Sequence, residues 1–96
     1  MSAISQGSTL ALPDRLAGAV WGHLVGDAVG VPYEFKSADE IGEIRFGATG
    51  THDRPPGTWS DDGSLMLALL DSLLIAGFDT ADQARRAVEW YRLGAY

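Results

Sequence analysis

The residues best able to do chemistry lie at 57–63, Gly57-Thr58-Trp59-Ser60-Asp61-Asp62-Gly63. A hydroxyl and two carboxylates fall on consecutive residues, Ser60, Asp61 and Asp62, where a helix is expected to start. These are hard oxygen donors, the type that Mg²⁺, Mn²⁺ or Ca²⁺ prefers. Neighbouring carboxylates repel one another unless a cation lies between them. The same residues also suit a helix start without any metal. Serine is a favoured N-cap, and acids in the first turn complement the helix dipole. Composition leaves both readings open.

Two further acids lie upstream in Gly26-Asp27-Ala28-Val29-Gly30-Val31-Pro32-Tyr33-Glu34-Phe35. Asp27 stands among apolar neighbours, where a buried carboxylate needs a partner. A cap-type hydrogen bond or a solvent-facing position would satisfy it equally well. Glu34 follows a proline break on an irregular segment, from which a side chain can reach into a cleft. His23 reads as a core or surface histidine rather than a ligand. His52, in the loop before Ser60, is a candidate for substrate contact.

Helices are expected to position these groups. The first opens at Pro13-Asp14 and runs to about Ala28 or Val29, with an apolar stripe of Leu16, Val20, Leu24 and Val25. Gly18, Gly22, Gly26 and Gly30 recur at every fourth residue, each costing roughly 1 kcal/mol against alanine in a helix interior. Such a stripe suits a flat groove for a ligand, or simply close helix packing. Ser37-Ala38-Asp39-Glu40 is a capping-box pattern that starts a short helix reaching about Ile44. Residues 47–58 form a loop rich in Gly, Thr, Asp and Pro.

A strong helix then runs from the Ser60 cap to Ala76, with Gly77 as its stop. It is apolar on nearly every side, which asks for neighbours on several faces. Missing chain or self-association through the apolar faces would supply them. Thr80-Ala81-Asp82-Gln83 reads as a second capping box. The last helix is expected to bury Ala84, Ala87, Val88 and Tyr91 and to stop near Gly94. No segment alternates apolar and polar residues over a useful length, so the class is all-α.

Bulk properties narrow the function. The 96 residues allow one small domain, 46% hydrophobic and 21% charged. Residues 1–12 read as a loose N-terminal arm, and 13–96 as the helical domain. A net charge of −6 argues against a nucleic-acid partner. Cysteine is absent, which excludes disulfides and thiol nucleophiles and leans toward the cytoplasm. The start carries no signal-peptide pattern, and the longest apolar run, Leu65 to Leu70, is too short to span a membrane.

Taken together, the stretches at 26–35 and 57–62, the latter followed by the apolar run from Leu65, resemble the ADP-ribosylglycohydrolase family. That family includes the dinitrogenase-reductase-activating glycohydrolase and the J1 crystallins. The likeness covers about residues 14–96. It implies an orthogonal helical bundle, of which this chain would be the N-terminal part. It implies a two-metal Mg²⁺ or Mn²⁺ centre, with Ser60, Asp61 and Asp62 matching the first ligand triplet. Glu34 matches the acidic residue over the substrate, the expected catalytic group. Asp27 matches a Gly-Asp pair with a supporting role, and Gly57 and Trp59 belong to the site loop.

The implied activity removes ADP-ribose from a modified protein side chain or a small molecule by cleaving the bond at ribose C1. The alternative is a non-catalytic, ADP-ribose-binding or crystallin-like structural module. Two features depart from the family pattern. Gly63 stands where a threonine usually follows the triplet, and the late Asp-x-Asp motif that completes the metal centre is absent from these residues. The chain is therefore expected to hold part of an active site and to be inactive by itself.

Overall fold

The computed structural model describes residues 10–48, 50 and 54–96. The N-terminal arm up to residue 9 and His52 lie outside the described residues. Among those described, the chain is all-α, without a strand. Three helices carry the fold: α1 (Leu12–Gly30), α2 (Asp61–Ala76) and α3 (Thr80–Leu93). Short 3₁₀ turns at Val31–Tyr33 and Ala38–Glu40 lie between α1 and α2.

Helix α1 starts at Leu12, one residue before the expected proline, so Pro13 falls within the first turn. A proline is tolerated there because the first amides of a helix have no intrahelical partner. Val31 and Pro32, both buried, turn the chain out of α1. The stripe expected along α1 is only partly inside: Leu24 is buried, whereas Leu16 and Val25 are exposed. The inward face is instead Leu24, Ala28 and Val31. The glycine stripe forms no groove among the described residues, since a Cβ placed at Gly18, Gly22, Gly26 or Gly30 would meet nothing within 4 Å.

The helix expected after Ser37 shrinks to one 3₁₀ turn. Its capping box is intact, with the Ser37 amide and hydroxyl both donating to Glu40 Oε1 at 3.0 and 2.9 Å. Those bonds hold the Glu40 carboxyl below its usual range, the Ser37 backbone bond first. Beyond it Ile41 turns extended and Gly42 follows. The Tyr33 hydroxyl then ties down the next segment, accepting from the Arg45 amide at 2.9 Å. A local capping signal thus loses to a tertiary bond twelve residues away.

Helices α2 and α3 form the main packed pair, and α1 meets α2 over a smaller surface. The buried stripe of α2 is made of small residues, Ser64, Ala68 and Ser72 at successive i, i+4 positions. The large residues face outward: Leu74 and Ile75 are 75% and 69% exposed, and Leu65, Leu69 and Leu73 are also exposed. The all-round apolar character of α2 therefore exceeds what the described chain covers.

Two expectations for α3 are corrected. Its N-cap is Asp79, whose side chain accepts the Asp82 amide at 3.1 Å, so Thr80 is the first helical residue and not a capping serine equivalent. Its inner face also differs from the expected one. Ala84, Val88 and Tyr91 are exposed, Tyr91 by 81%, and only Ala87 of that set is half-buried. A polar network sets the rotation instead. Arg86 Nε bonds Asp82 Oδ2 at 2.7 Å, and its NH1 reaches Asp71 of α2 and the Tyr96 hydroxyl. Tyr96 in turn donates to Asp71 at 2.7 Å.

The Ser72 hydroxyl and the Arg86 and Arg85 guanidiniums hold the Asp82 carboxyl well below the usual carboxylate range. Ser72 Oγ itself falls outside strict hydrogen-bond geometry with any described group. The two arginine contacts, at 2.7 Å each, are the firm part of that pairing. Gly94 then ends α3 at φ 71°, a left-handed stop that glycine adopts without a Cβ penalty.

Candidate active site

The start of α2 is built from two helices. Ser60 occupies its N-cap but makes no capping bond with its own side chain. Asp27, projecting from α1, does that work. Its Oδ2 accepts the backbone amides of Ser60 at 2.8 Å and Gly63 at 2.9 Å. Its Oδ1 accepts the Ser60 hydroxyl at 2.6 Å. Of the alternatives open to Asp27 in sequence, it makes the cap-type hydrogen bonds, to the turn carrying the triplet.

One helical turn earlier on α1, His23 Nε2 lies 3.2 Å from the Asp62 carbonyl oxygen. A carbonyl only accepts, so this bond requires the proton on Nε2. The histidine contacts backbone and no candidate ligand side chain. It belongs to the frame of the turn.

Gly63 is buried at the same junction. A Cβ there would stand 3.0 Å from Asp27 Oδ2 and 3.0 Å from the Trp59 ring. The glycine that departs from the family pattern thus allows the carboxylate and the indole to close on the helix start.

Beside this junction lies an open cavity of about 710 Å³. Its walls include Glu34, Trp59, Ser60 and Asp61, so residues 26 positions apart in sequence share one hollow. Asp62, Asp27 and Gly57 lie outside its walls. Asp62 is on the exposed side of the first turn, Asp27 is half-buried behind it, and Gly57 shapes the preceding loop at φ 82°. Thr58 fixes that loop, its hydroxyl donating to the Pro55 carbonyl at 2.6 Å.

Other cavity residues gave less signal in sequence. Arg54, Phe35, Trp90 and Tyr96 also line the hollow. Arg54 stands in the Pro-rich loop before the triplet, and that position was its only pointer. Trp90 reads as packing in sequence, and nothing marked Tyr96. Phe35 is 86% exposed with φ 65°, a left-handed conformation that a bulky residue rarely adopts. Strain of this kind next to a candidate catalytic acid is typical of functional sites.

The donor chemistry at Ser60 and Asp61 suits a hard divalent cation, since both present oxygens and both line the cavity. The set is incomplete in number. Among the described residues no group of three or more His, Cys, Asp or Glu side chains is clustered closely enough to hold a metal ion. No described helix is long and apolar enough to cross a membrane.

Comparison with known proteins gives a consistent picture. The chain is 39% identical over 82 residues to the ADP-ribosylarginine hydrolase Tri1 of Pseudomonas putida (strain GB-1), covering 84% of this chain and 22% of that protein. It is 35% identical over 82 residues to the ADP-ribosylarginine hydrolase Tri1 of Serratia proteamaculans (strain 568), with the same coverage of 84% and 22%. It is 33% identical over 86 residues to an uncharacterized protein of Archaeoglobus fulgidus, covering 83% of this chain and 28% of that one. The chain thus spans 22% to 28% of the length of these curated relatives. No solved structure matches it. The family model for ADP-ribosylglycohydrolase matches residues 8–95, nearly the whole chain, and with the Glu34–Ser60–Asp61 hollow in view the chain belongs to the ADP-ribosylglycohydrolase family.

Proposed function

We propose that this chain supplies the N-terminal part of a divalent-metal-dependent hydrolase that removes ADP-ribose from a modified arginine side chain. The single observation that carries the reading is the cavity shared by Glu34, Ser60 and Asp61. The names of the two bacterial relatives favour arginine as the carrier.

In this reading Ser60 and Asp61, with Asp62 on the same turn, would contribute oxygen ligands to Mg²⁺ or Mn²⁺. When bound, the cation supplies Lewis-acid polarisation and a lowered pKa for an attached water. The chain's own groups do the rest. Glu34 takes a proton from the attacking water as its oxygen bonds ribose C1. The C1–N bond breaks through an oxocarbenium-like state, and the proton taken by Glu34 passes to the departing guanidino nitrogen. Trp59, partly exposed on the cavity wall, would give the ribose or base an apolar surface.

Titration calorimetry of the 96-residue chain with Mg²⁺, in the wild type and Asp61→Ala, tests the metal assignment. Binding is expected in the wild type and weakened at least tenfold in the variant. Equal binding refutes it. Release of ADP-ribose from ADP-ribosylated arginine, by a protein in which this chain is joined to the remaining metal ligands and with Glu34→Gln as comparison, tests the chemistry. ADP-ribose binding that needs neither metal nor Asp61 would favour the non-catalytic alternative.

A further inference from the structure

We propose that Asp27 is a positioning residue that caps α2 from the neighbouring helix and so releases the Ser60 hydroxyl to face a cation. The inference rests on the hydrolase reading and deepens its metal site.

Serine is favoured at an N-cap because its Oγ normally accepts the amide two or three residues on. Such a serine spends its lone pairs on the helix. In this protein the amide of Gly63, the third helical residue, goes to Asp27 Oδ2 instead. The Ser60 side chain makes no capping bond. Its hydroxyl points the other way in bonding terms, donating its one proton to Asp27 Oδ1 at 2.6 Å.

A hydroxyl has one proton and two lone pairs. With the proton committed to Asp27, both lone pairs remain on a side chain that lines the cavity. A carboxylate accepting that proton also enriches the oxygen in electron density, as outer partners of metal ligands generally do. Asp27 itself is poorly placed to be a ligand. Three of its roughly four acceptor sites are occupied, and it lies outside the cavity walls.

Two other residues belong to the same device. Gly63 gives the carboxylate room, because any Cβ there would stand 3.0 Å from Oδ2. His23, four residues before Asp27 on the same face of α1, holds the Asp62 carbonyl. Together His23 and Asp27 take one acceptor and two donors of the first turn, which fixes both its height and its rotation against α1.

The test uses the full 96-residue chain as wild type, Ser60→Ala, Asp27→Asn and the double variant. Mn²⁺ affinity is read by calorimetry and protection of the Gly63 amide by hydrogen exchange. Asparagine keeps the size but cannot accept from both amides and from the hydroxyl. Ser60→Ala is expected to weaken Mn²⁺ about tenfold to a hundredfold while the Gly63 amide stays protected. Asp27→Asn is expected to weaken Mn²⁺ by a similar factor, because its NH₂ cannot accept the Ser60 proton and instead donates to a Ser60 lone pair, while its oxygen still accepts the Gly63 amide. The double variant should bind no more weakly than the weaker single one, because both changes remove the same ligand.

Wild-type affinity in Asp27→Asn, or losses that multiply in the double variant, overturns the proposal. If Asp27→Asn does not fold, Gly63→Ala displaces the same carboxylate by a few tenths of an ångström, and unchanged Mn²⁺ affinity there overturns it equally. A wild-type chain that binds no Mn²⁺ while the Gly63 amide stays protected sinks the metal reading itself. A protected cap with no ligand role for Ser60 is then what remains.

Discussion

Two glycine-to-alanine substitutions are expected to change stability in opposite directions. Gly22 lies in the interior of α1 with open space around a built Cβ. Alanine there gains the helix-propensity difference, about 1 kcal/mol, with nothing lost. Gly63 gains at most the same from propensity, yet its Cβ would stand 3.0 Å from the Asp27 carboxylate and 3.0 Å from Trp59. The indole is part-exposed and can swing away. The carboxylate is held by three bonds of 2.6 to 2.9 Å, and retreat lengthens those from Ser60 and Gly63.

A hydrogen bond to a charged acceptor contributes about 1.5–3 kcal/mol. Losing one outweighs the propensity gain, so Gly63→Ala should be net destabilising by about 1 kcal/mol. In a domain of this length 1 kcal/mol moves Tm by roughly 4–8 °C. Thermal unfolding followed by circular dichroism should show Gly22→Ala melting higher than the wild type and Gly63→Ala melting lower. If Gly63→Ala stabilises as much as Gly22→Ala, the steric argument at the α1–α2 junction is wrong.

Two further expectations concern the loop and the α2–α3 pair. The Asp82 carboxyl is held below its ordinary range by Ser72, Arg86 and Arg85, so its stabilisation is present above about pH 4 and fades as pH falls toward the depressed value. Melting temperatures of the wild type should therefore fall more steeply between pH 5 and pH 2 than those of Asp82→Asn, and parallel curves would contradict this. Phe35→Asn should raise stability by up to about 1 kcal/mol in urea unfolding, because asparagine accepts the left-handed conformation at φ 65° and the ring is exposed. A loss of the same size would mean that the ring's contacts outweigh the backbone strain.

Helix ends were legible in sequence where the signal is local. Ser60, Gly77 and Gly94 bound α2 and α3 as their residue types suggest. Faces were less legible. The apolar stripe of α3 pointed at Ala84, Val88 and Tyr91, but the ion-pair network of Arg86 with Asp82 and Asp71 turned the helix on its axis. Periodicity measures greasiness and says nothing about a half-buried guanidinium with three partners. For the site, the oxygen-rich triplet and Glu34 could be found from residue types and from the family likeness. Their meeting in one cavity could not, because it depends on how far the 31–58 segment folds back. Asp27 announced that it needed a partner, but the partner lay 33 and 36 positions away, beyond any local pattern.

That distance has a consequence for assembly. A peptide cut from 58–76 would carry every apolar residue of α2, but without Asp27 its Ser60 hydroxyl would be left to accept the Gly63 amide as an ordinary cap. The arrangement seen at residues 60–63 forms only when α1 arrives. Formation of the long-range α1–α2 contact and the release of the Ser60 hydroxyl from capping are therefore one event, and a partly folded form lacking α1 would keep that hydroxyl turned to its own helix even with its leucines already helical.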